Sequence, residues 1–431
     1  MSNVIKLPET GSLNTIEVEE APSEFPIPHE GCYYGVAGRF AFDACLQSEA
    51  DPIGVLIHLL TWAGAYFGNK AVLRLGDVEA PPRLFSVTAS SAGGGKGTAA
   101  APVRKLMQDY VNVQLRKMGL PLALYRDGPM SSGEGLAWAV RDPADTEDED
   151  GNPTDKGITD KRLMILEEEF AAVLQAARRE GNTVSAAIRR FWDTGNFSPL
   201  TKNNRVTVTD AHVCFVGHIT YEELVKRLEQ SEYATALASR ILWICVRRPK
   251  IVAIPESIPV VKMLHYADAV AKAIQFSSDV NELTLSAQSL ELWGTLALSL
   301  AKVNSPMSER SRVQVLRIAC IFALLDCTDE VEPQHLRAAT YIWDYCLGSV
   351  AYIFEGEQNE DEGKIIAALR KHGKLTTTQI RVNVFQQNIK SAAMNTLLKS
   401  LETQGRIKRS VKQRTDGRSG KPATFFELVR N

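Results

Sequence analysis

Between residues 71 and 250 the chain alternates short apolar runs with longer stretches of helical periodicity. Bounded by turn residues, the runs predict five strands: LFSVTA (84–89), LALYR (122–126), LMILE (163–167), VCFVGH (213–218) and ILWICV (241–246). Strands that alternate with helices are typical of a mostly parallel sheet with helices on both faces. The pattern therefore predicts an α/β core.

The flanking segments have other patterns. Two apolar helices are predicted within residues 36–68, the second starting at Asp51-Pro52, where an N-cap precedes a proline in the first turn. Three or four amphipathic helices follow the core and predict an all-α domain. The last segment has the order helix, helix, helix, β-hairpin, which is the order of a winged helix-turn-helix. We thus expect four parts: an acidic, disordered arm at 1–35, the core with its N-terminal helices at 36–250, a helical lid at 251–355 and a winged helix at 361–431.

Charge is unevenly distributed along the 431 residues. The net charge is −2, and 45% hydrophobic with 23% charged residues is ordinary for a globular protein. Residues 361–431, however, carry 15 Lys and Arg against five Asp and Glu, whereas residues 1–30 carry one Lys against six Glu. A basic C-terminal module favours a polyanionic partner, and we expect DNA. The insertion at 142–161 is acidic and is predicted to be an exposed loop.

Cysteine use and hydropathy indicate the compartment. The seven cysteines are scattered, and no C-x-x-C motif occurs, which favours reduced core cysteines over disulfides or zinc. The longest apolar run, residues 56–68, is too short to span a bilayer and contains His58. The first residues lack the pattern of a signal peptide. We expect a cytoplasmic protein without a membrane partner.

The strongest chemical motif is SSAGGGKGT at residues 90–98, which follows a predicted strand and precedes a predicted helix. Glycines let backbone N–H groups converge on phosphate oxygens, and the helix N-terminus adds further donors. A lysine in this position reaches the β- and γ-phosphates of a nucleotide. The predicted nucleotide-binding residues are Ser91, Gly93, Gly94, Gly95, Lys96, Gly97 and Thr98.

This motif departs twice from the pattern G-x-x-x-x-G-K-[ST]. Ser90 replaces the first glycine, and Gly97 separates Lys96 from Thr98. A G-K-G-T ending occurs in nucleotide kinases of the adenylate kinase type, so nucleotide binding remains the expectation. We expect ATP and Mg²⁺ as cofactors, with Thr98 as one metal ligand.

The predicted strand at residues 163–167 ends in carboxylates. LMILEEEF (163–170) has the form of a Walker B strand, which predicts that Glu167 binds Mg²⁺ and that Glu168 is the catalytic base. Glu134, in SSGEGL after the preceding strand, is a rival for the base. A helix start with an acidic first turn is the ordinary alternative.

Further polar residues follow two more strands. His218 and Thr220 are candidates for a sensor of the γ-phosphate, although a strand-end cap explains His218 equally well. Arg240 is the predicted finger that a neighbouring subunit supplies to the transition state, which implies a homo-oligomeric, hexamer-like ring. Arg312 and Arg317 could supply a second sensor, although surface helix charge is their more ordinary role.

Basic residues at three places predict DNA contacts. They lie at a hairpin tip, on the third helix of the C-terminal module and in its wing. The predicted residues are Lys202, Arg205, Lys390, Lys399, Lys408, Arg409, Lys412, Arg414, Arg418 and Lys421.

Several segments together resemble a known family. In order they are EADPIGVLIHLL, SSAGGGKGT, SSGEGLAWAVRD, RLMILEEEF, RRFWDTGNF, HVCFVGHITYEEL and ASRILWICVRR. From about Phe40 to Phe354 the chain is similar to phage- and plasmid-borne P-loop ATPases, which look like replicative helicases and often follow a primase-polymerase domain. The resemblance implies an AAA+-like or RecA-like core, ATP hydrolysis, ring assembly and replication of mobile elements, with any primase on a separate chain.

Three functions therefore compete. The first is an ATP-dependent DNA motor, either a replicative helicase or a replication initiator of a mobile element. The second is a DNA-binding regulator with a nucleotide switch, and the third is a small nucleotide kinase. Paired Glu167 and Glu168 together with Arg240 favour the motor, whereas the altered glycine motif favours the regulator.

Overall fold

The computed structural model describes residues 15–17, 25–150, 152–199, 206–228, 237–302, 309–356, 360–403, 407–412 and 423–428. The chain forms two compact units, Met1–Val350 and Ala351–Asn431. The first is a mixed α/β unit built around a parallel sheet. The second combines helices with a small antiparallel sheet.

The strands of the first unit form a central sheet and two smaller ones. In chain order they are β1 (Thr15–Glu17), β2 (Val72–Leu75), β3 (Val78–Ala80), β4 (Phe85–Ser90), β5 (Leu124–Asp127), β6 (Arg162–Glu167), β7 (His212–Thr220), β8 (Leu242–Cys245), β9 (Lys250–Val252), β10 (Glu282–Leu285) and β11 (Glu330–Val331). The central sheet has the order β5-β6-β7-β4-β8, and all its pairs are parallel. These five strands coincide with the five predicted runs, so the predicted parallel sheet is confirmed.

Helices cover the sheet and connect its strands. They are α1 (Gly35–Cys45), α2 (Pro52–Phe67), α3 (Lys96–Lys105), α4 (Asn112–Lys117), α5 (Gly133–Ala139), α6 (Phe170–Ala177), α7 (Val184–Asp193), α8 (Tyr221–Leu228), α9 (Val260–Asp279), α10 (Ala287–Ala301), α11 (Ser311–Leu325) and α12 (Pro333–Gly356). A π-helical turn, Leu106–Val111, joins α3 to α4.

Helix α2 is the central helix of this unit. Asp51 caps its first turn by accepting a hydrogen bond from the backbone N–H of Ile53, and every residue from Ile53 to Phe67 is buried. A helix that is apolar on all sides belongs in the interior. It packs between the sheet and helices α9 and α11.

Side-chain contacts fix which helix covers which face. On one face, His212 of β7 bonds the carbonyl of Gly64 in α2 at 2.9 Å. On the other face, Phe215 of β7 stacks on Phe170 of α6 with ring centroids 5.7 Å apart. Helix α3 packs on α2, and α8 packs on α6. The connection that leaves β4 therefore runs to one face, and the connection that leaves β7 runs to the other.

The predicted all-α domain is not wholly helical. Helices α9 to α12 are present, but β10 pairs in parallel with both β2 and β11. The sheet has the order β11-β10-β2-β3, so this segment shares a sheet with two strands from the first residues of the predicted core. Residues 251–350 thus belong to the first compact unit rather than to a separate one.

The described part of the predicted disordered arm is packed against the first unit. Strand β1 pairs antiparallel with β9. His29 stacks on Tyr341 with ring centroids 3.7 Å apart, and Cys32 is buried. The prediction of disorder therefore does not hold for residues 15–17 and 25–35, since the former pair as a strand with β9 and the latter include stacked and buried side chains.

The second unit contains α13 (Glu360–His372), β12 (Lys374–Thr376), α14 (Thr377–Asn383), α15 (Ser391–Thr403), β13 (Ile407–Lys412) and β14 (Ala423–Leu428). Its sheet has the order β12-β14-β13 with antiparallel pairs. Side chains from the helices and the sheet share one core, which includes Ile365, Ile380, Leu401 and Phe426. Among the described residues of either unit, no helix is long and apolar enough to cross a membrane.

Candidate functional site

The carboxyl edge of the central sheet has a crevice between β4 and β7. Because the chain leaves these neighbouring strands toward opposite faces, the ends of the strands diverge there. Ligands of open α/β sheets bind at such points of reversal. The glycine motif follows β4, and His218 and Thr220 lie near the end of β7, so three of the predicted features meet at this crevice.

Residues 91–95, which we call the glycine loop, join β4 directly to α3. Gly93 and Gly95 have φ of 73° and 90°, a region that side chains with a Cβ rarely adopt. At Gly94 a Cβ would lie 2.6 Å from the hydroxyl of Ser90. The loop therefore requires glycine at these positions, while Ser90 occupies the place of the motif's first glycine without disturbing the turn.

The start of α3 presents unused donors beside this loop. The backbone N–H of Ala99 bonds the carbonyl of Gly95 at 3.1 Å. The N–H groups of Lys96, Gly97 and Thr98 donate no hydrogen bond within the described part of the chain. Such groups, together with the helix dipole, favour an anion. The predicted phosphate-binding residues are thus brought together in one cradle.

Lys96 extends back across the glycine loop. Its Nζ donates to the hydroxyl of Ser90 at 2.8 Å. Burial lowers the pKa of Lys96, while the negative charges of Glu222 and Glu223 act in the opposite direction. These two carboxylates lie in the first turn of α8 and are not among the site residues predicted from sequence. Their signal was present in the quoted segment HITYEEL, directly after the sensor strand.

Glu167 ends β6 and is fixed by the backbone of a neighbouring loop. It is 2% exposed, and its carboxylate accepts hydrogen bonds from the N–H groups of Met130 at 2.7 Å and Glu169 at 3.1 Å. At Gly128 a Cβ would lie 2.4 Å from Glu167 Oε2, so the close approach depends on glycine. Glu168 is exposed in the turn before α6. One carboxylate is thus oriented by the fold and the next faces solvent.

Glu134 points elsewhere. Its carboxylate accepts a hydrogen bond from the hydroxyl of Thr183 at 2.9 Å, at the point where α5 packs on α7. Strand β5, which precedes Glu134, is three strands from β4, or about 14 Å at the usual spacing, whereas β6 is about 10 Å from β4. Of the two rivals for the base, Glu168 therefore follows the strand nearer the glycine loop.

His218 lies within the sheet opposite Thr88 of β4 and is 4% exposed. Its Nε2 is 3.3 Å from Nε2 of His58 in α2. Burial, and then the positive charge of Lys96, lower the pKa of His218 to about 4. Thr220 instead caps α8, because its hydroxyl accepts from the N–H of Glu223.

Arg240 lies at the opposite edge of the sheet. It immediately precedes β8, whose Leu242 pairs with Ser86 near the start of β4, so it is far from the glycine loop of its own chain. Arg240 is 7% exposed, and its guanidinium donates two hydrogen bonds of 3.0 and 2.8 Å to the carboxylate of Asp193. A finger role toward a neighbouring subunit requires this pair to open.

The arginines of α11 differ in environment. Arg312 is exposed, as a surface charge should be. Arg317 is 1% exposed, lies 3.8 Å over the ring of Trp192 and donates to the Trp192 carbonyl. The prediction of a surface charge is therefore wrong for Arg317. Its guanidinium instead donates to a backbone carbonyl in the C-terminal turn of α7.

The predicted DNA-binding residues are only partly described. Lys202, Arg205, Arg414, Arg418 and Lys421 lie outside the described residues, and Lys412 is described only as part of β13. Lys390 precedes α15, Lys399 lies on it, and Lys408 and Arg409 lie on β13; all four are exposed. Lys408 Nζ is 3.7 Å from a carboxylate oxygen of Glu427 on the neighbouring strand.

A cavity of about 360 Å³ lies beside β5 and β6 rather than at the crevice. Met130, Leu136, Trp138 and Ile165 line it, and residues 128–130 separate it from Glu167. The polar groups that the sequence predicts for phosphate chemistry are at the crevice. We therefore place the candidate site at the crevice rather than in the cavity.

The site residues fit a magnesium–nucleotide complex. Unused N–H donors and Lys96 suit phosphates, and Glu167 with the Thr98 hydroxyl offers oxygen ligands. Mg²⁺ usually takes one or two carboxylates plus phosphates and water, so it needs no larger protein cluster. Within the described residues there is no group of three or more His, Cys, Asp and Glu that could hold a metal. No protein-family model matches the chain, and a search of curated proteins finds no match.

Proposed function

We propose that the first unit is a P-loop ATPase that hydrolyses Mg-ATP and drives a DNA motor, a replicative helicase or replication initiator of a mobile element. The observation that carries the proposal is the glycine loop with Lys96, which joins β4 to α3 at the crevice between β4 and β7. A strand, a glycine-rich turn and a helix in this order are the form of a phosphate-binding loop.

The position of Glu167 supports hydrolysis as well as binding. Strand β6 is separated from β4 by β7 alone, an order compatible with an AAA+-like or RecA-like core. In this proposal Lys96 and the α3 N–H groups bind the phosphates, and Glu167 and Thr98 orient the metal. Glu168 accepts the proton of the attacking water, and His218 contacts the terminal phosphate. Mg²⁺ would neutralise charge that develops on the phosphate oxygens.

The second unit supports DNA as the partner. Its order of three helices and a three-stranded antiparallel sheet is compatible with a winged helix, in which α15 would enter the major groove. Lys390 and Lys399 lie on or beside that helix, and Lys408 and Arg409 lie on the strand that leads into the wing. Exposed cations in these positions suit phosphate contacts.

The proposal includes ring assembly, which the location of Arg240 supports. Because Arg240 lies at the amino edge of the sheet, it can serve a nucleotide only in another subunit. Head-to-tail contacts of this kind close into rings. In this proposal a hexamer-like ring forms on DNA, and a separately encoded primase acts with it, as the resemblance described above implies.

The test is ATP turnover with and without single- and double-stranded DNA. Lys96→Ala should abolish nucleotide binding, whereas Lys105→Ala, an exposed lysine at the other end of the same helix, should not. Deletion of residues 361–431 should weaken DNA binding while basal hydrolysis persists. Salt dependence should also decrease, since each phosphate contact contributes about −0.9 to the log–log slope on duplex DNA. DNA that changes neither turnover nor assembly would contradict the motor.

The second candidate is a DNA-binding regulator whose nucleotide site is a switch. It is favoured by the ion pair between Arg240 and Asp193, which holds the proposed finger, itself buried, within its own chain. A switch needs nucleotide binding but no transition-state arginine. Nucleotide-dependent DNA affinity without DNA-stimulated turnover would support this function.

A further inference from the structure

Two buried histidines from different elements contact each other beneath the crevice. His58 of α2 and His218 of β7 are 0% and 4% exposed, and their Nε2 atoms are 3.3 Å apart. Every neighbour of His58 along α2 is buried, and five apolar residues surround it in sequence between Gly54 and Thr61. Burying a histidine in such a helix costs free energy unless its ring nitrogens make hydrogen bonds.

Both rings are neutral in the folded protein. Burial lowers the pKa of His58 well below its usual range, and the same cause with Lys96 lowers the pKa of His218. Each neutral ring carries one proton, and an Nε2–Nε2 hydrogen bond needs that proton on one side only. Either His58 donates to His218, or His218 donates to His58.

The surroundings of His58 distinguish the two arrangements. Its Nδ1 is sealed from solvent and has no hydrogen-bond partner among the described residues. If His218 donated, His58 would have to carry its proton on this sealed Nδ1, as a buried donor without an acceptor. Orphaned buried N–H groups are rarer than under-satisfied acceptors. The favoured arrangement therefore has the proton on His58 Nε2, donated to a bare His218 Nε2.

In that arrangement the proton of His218 is on Nδ1. This nitrogen makes no hydrogen bond in the described part of the chain and, unlike His58 Nδ1, is not sealed from solvent. His218 pairs with Thr88, which lies two residues before the end of β4. The positive charge of Lys96 is close enough to lower the pKa of His218. An N–H donor that no other group of the described residues uses is thus available on His218, near the carboxyl ends of β4 and β7.

We propose that His58 is a positioning residue that holds His218 in the Nδ1–H tautomer, so that His218 offers a hydrogen-bond donor to the terminal phosphate of a nucleoside triphosphate. The second half of this inference rests on the proposed function, whereas the tautomer does not. A donor at this place discriminates a triphosphate from a diphosphate, because only the triphosphate has an oxygen there to accept. The opposite tautomer would present a lone pair, which repels phosphate oxygens.

The tautomer can be measured without nucleotide. Protein labelled with ¹⁵N-histidine should show His218 protonated at Nδ1 and His58 protonated at Nε2 in long-range proton–nitrogen correlation spectra near neutral pH. His218→Asn and His58→Gln supply the assignments. A wild-type spectrum with His218 protonated at Nε2 would overturn the proposal, whatever the protein does to ATP.

Two substitutions of His58 test the positioning role. His58→Gln keeps an amide donor where Nε2 was, so His218 should retain its tautomer and the preference for ATP over ADP. His58→Phe keeps the ring volume but removes the donor, so His218 should become a mixture of tautomers. The ratio of ATP to ADP affinity, measured by calorimetry, should then fall about five- to tenfold, the worth of one hydrogen bond. Equal ratios in the two folded variants would contradict the role.

The outcomes separate this inference from the proposed function. A protein that binds no nucleotide but shows the expected tautomers would contradict the ATPase and leave the His58–His218 relationship standing. A protein that hydrolyses ATP but has the opposite tautomer would contradict the His58–His218 relationship and leave the proposed ATPase standing. His265→Phe, an exposed histidine on α9, is the control and should change neither readout.

Discussion

The backbone N–H of Met130 lies 2.7 Å from Oε2 of Glu167, so a loop after β5 orients the carboxylate that ends β6. The approach is possible because residue 128 is glycine; a Cβ there would lie 2.4 Å from the same oxygen. The loop and the carboxylate therefore act as one structural element of the proposed metal site.

The Gly128→Ala variant should displace Glu167 and slow ATP turnover. A misplacement of about 1 Å can cost about 10²-fold in rate, and the overlap should lower the free energy of unfolding by about 1–3 kcal/mol. Binding of ATP in EDTA should persist, because the glycine loop is unchanged. Gly294→Ala in α10, where a Cβ would meet nothing within 4 Å, is the matched control. Normal turnover in folded Gly128→Ala protein would remove Glu167 from the proposed site.

The identity of the base can be tested by comparing neighbouring carboxylates. Glu168→Gln should keep Mg-ATP binding but reduce hydrolysis by about 10²–10⁴-fold, the usual worth of a general base. Glu169→Gln, also exposed in the same turn, should have little effect. Loss of hydrolysis in Glu134→Gln, with Glu168→Gln active, would transfer the role to Glu134 and require it to leave Thr183.

The elements predicted from sequence were those with local signals. Strands β4, β6, β7 and β8 are mainly apolar because both faces of the parallel sheet are buried there, and the glycine loop needs glycine at positions set by its own backbone. The prediction that residues 251–355 are all helical failed at β10 and β11. These strands have four and two residues and are held by pairing with distant strands, which local periodicity does not report.

The site residues that sequence missed depend on long-range contacts. Met130 donates a hydrogen bond to Glu167 through its backbone N–H, so the type of its side chain does not indicate this role in the sequence. His58 looks like one polar residue in an apolar helix until β7 brings His218 to it, 160 positions later. Asp193 is the last residue of α7, and only the fold shows that its carboxylate binds Arg240.

The Arg240–Asp193 pair should contribute measurably to stability. Asp193→Ala would leave Arg240 buried without this carboxylate, and Arg310, 3.6 Å from Asp193, would also lose it. Because Asp193 is 29% exposed, the expected loss is below that of a fully buried pair, about 1–3 kcal/mol in the free energy of unfolding by urea. Asp268→Ala, which removes the exposed pair with Lys272, should change the free energy of unfolding much less, because solvent screens that pair.

The trans role of Arg240 predicts complementation between inactive subunits. Arg240→Ala and Lys96→Ala proteins should each be inactive alone. In mixed rings, a site with an intact Lys96 from one subunit and an intact Arg240 from its neighbour should regain ATP turnover. Mixtures that stay inactive although mixed rings form, as seen by ultracentrifugation with two tags, would argue that the arginine only stabilises the fold.

Stability should fall at mildly acidic pH because of His218. Its pKa is lowered from 6.5 to about 4 in the fold, first by burial and then by Lys96. A depressed folded pKa means that the stabilisation is complete above the unfolded pKa and is lost as pH falls through 6.5 toward 4. At about pH 5 the expected loss from this group is about 2 kcal/mol relative to about pH 7.5.

Other buried groups add to this dependence with known signs. Burial also lowers the pKa of His58 and His212, so they act in the same direction as His218. Asp51 acts in the opposite direction, because burial raises its pKa to about 6 and the fold favours its protonated form. The comparison must therefore be made between variants. The difference in urea unfolding free energy between the two pH values should shrink in His218→Gln and stay unchanged in His265→Gln, which alters an exposed ring. Equal pH dependence in wild type and His218→Gln would show that the His218 ring is hydrated and not held neutral against His58.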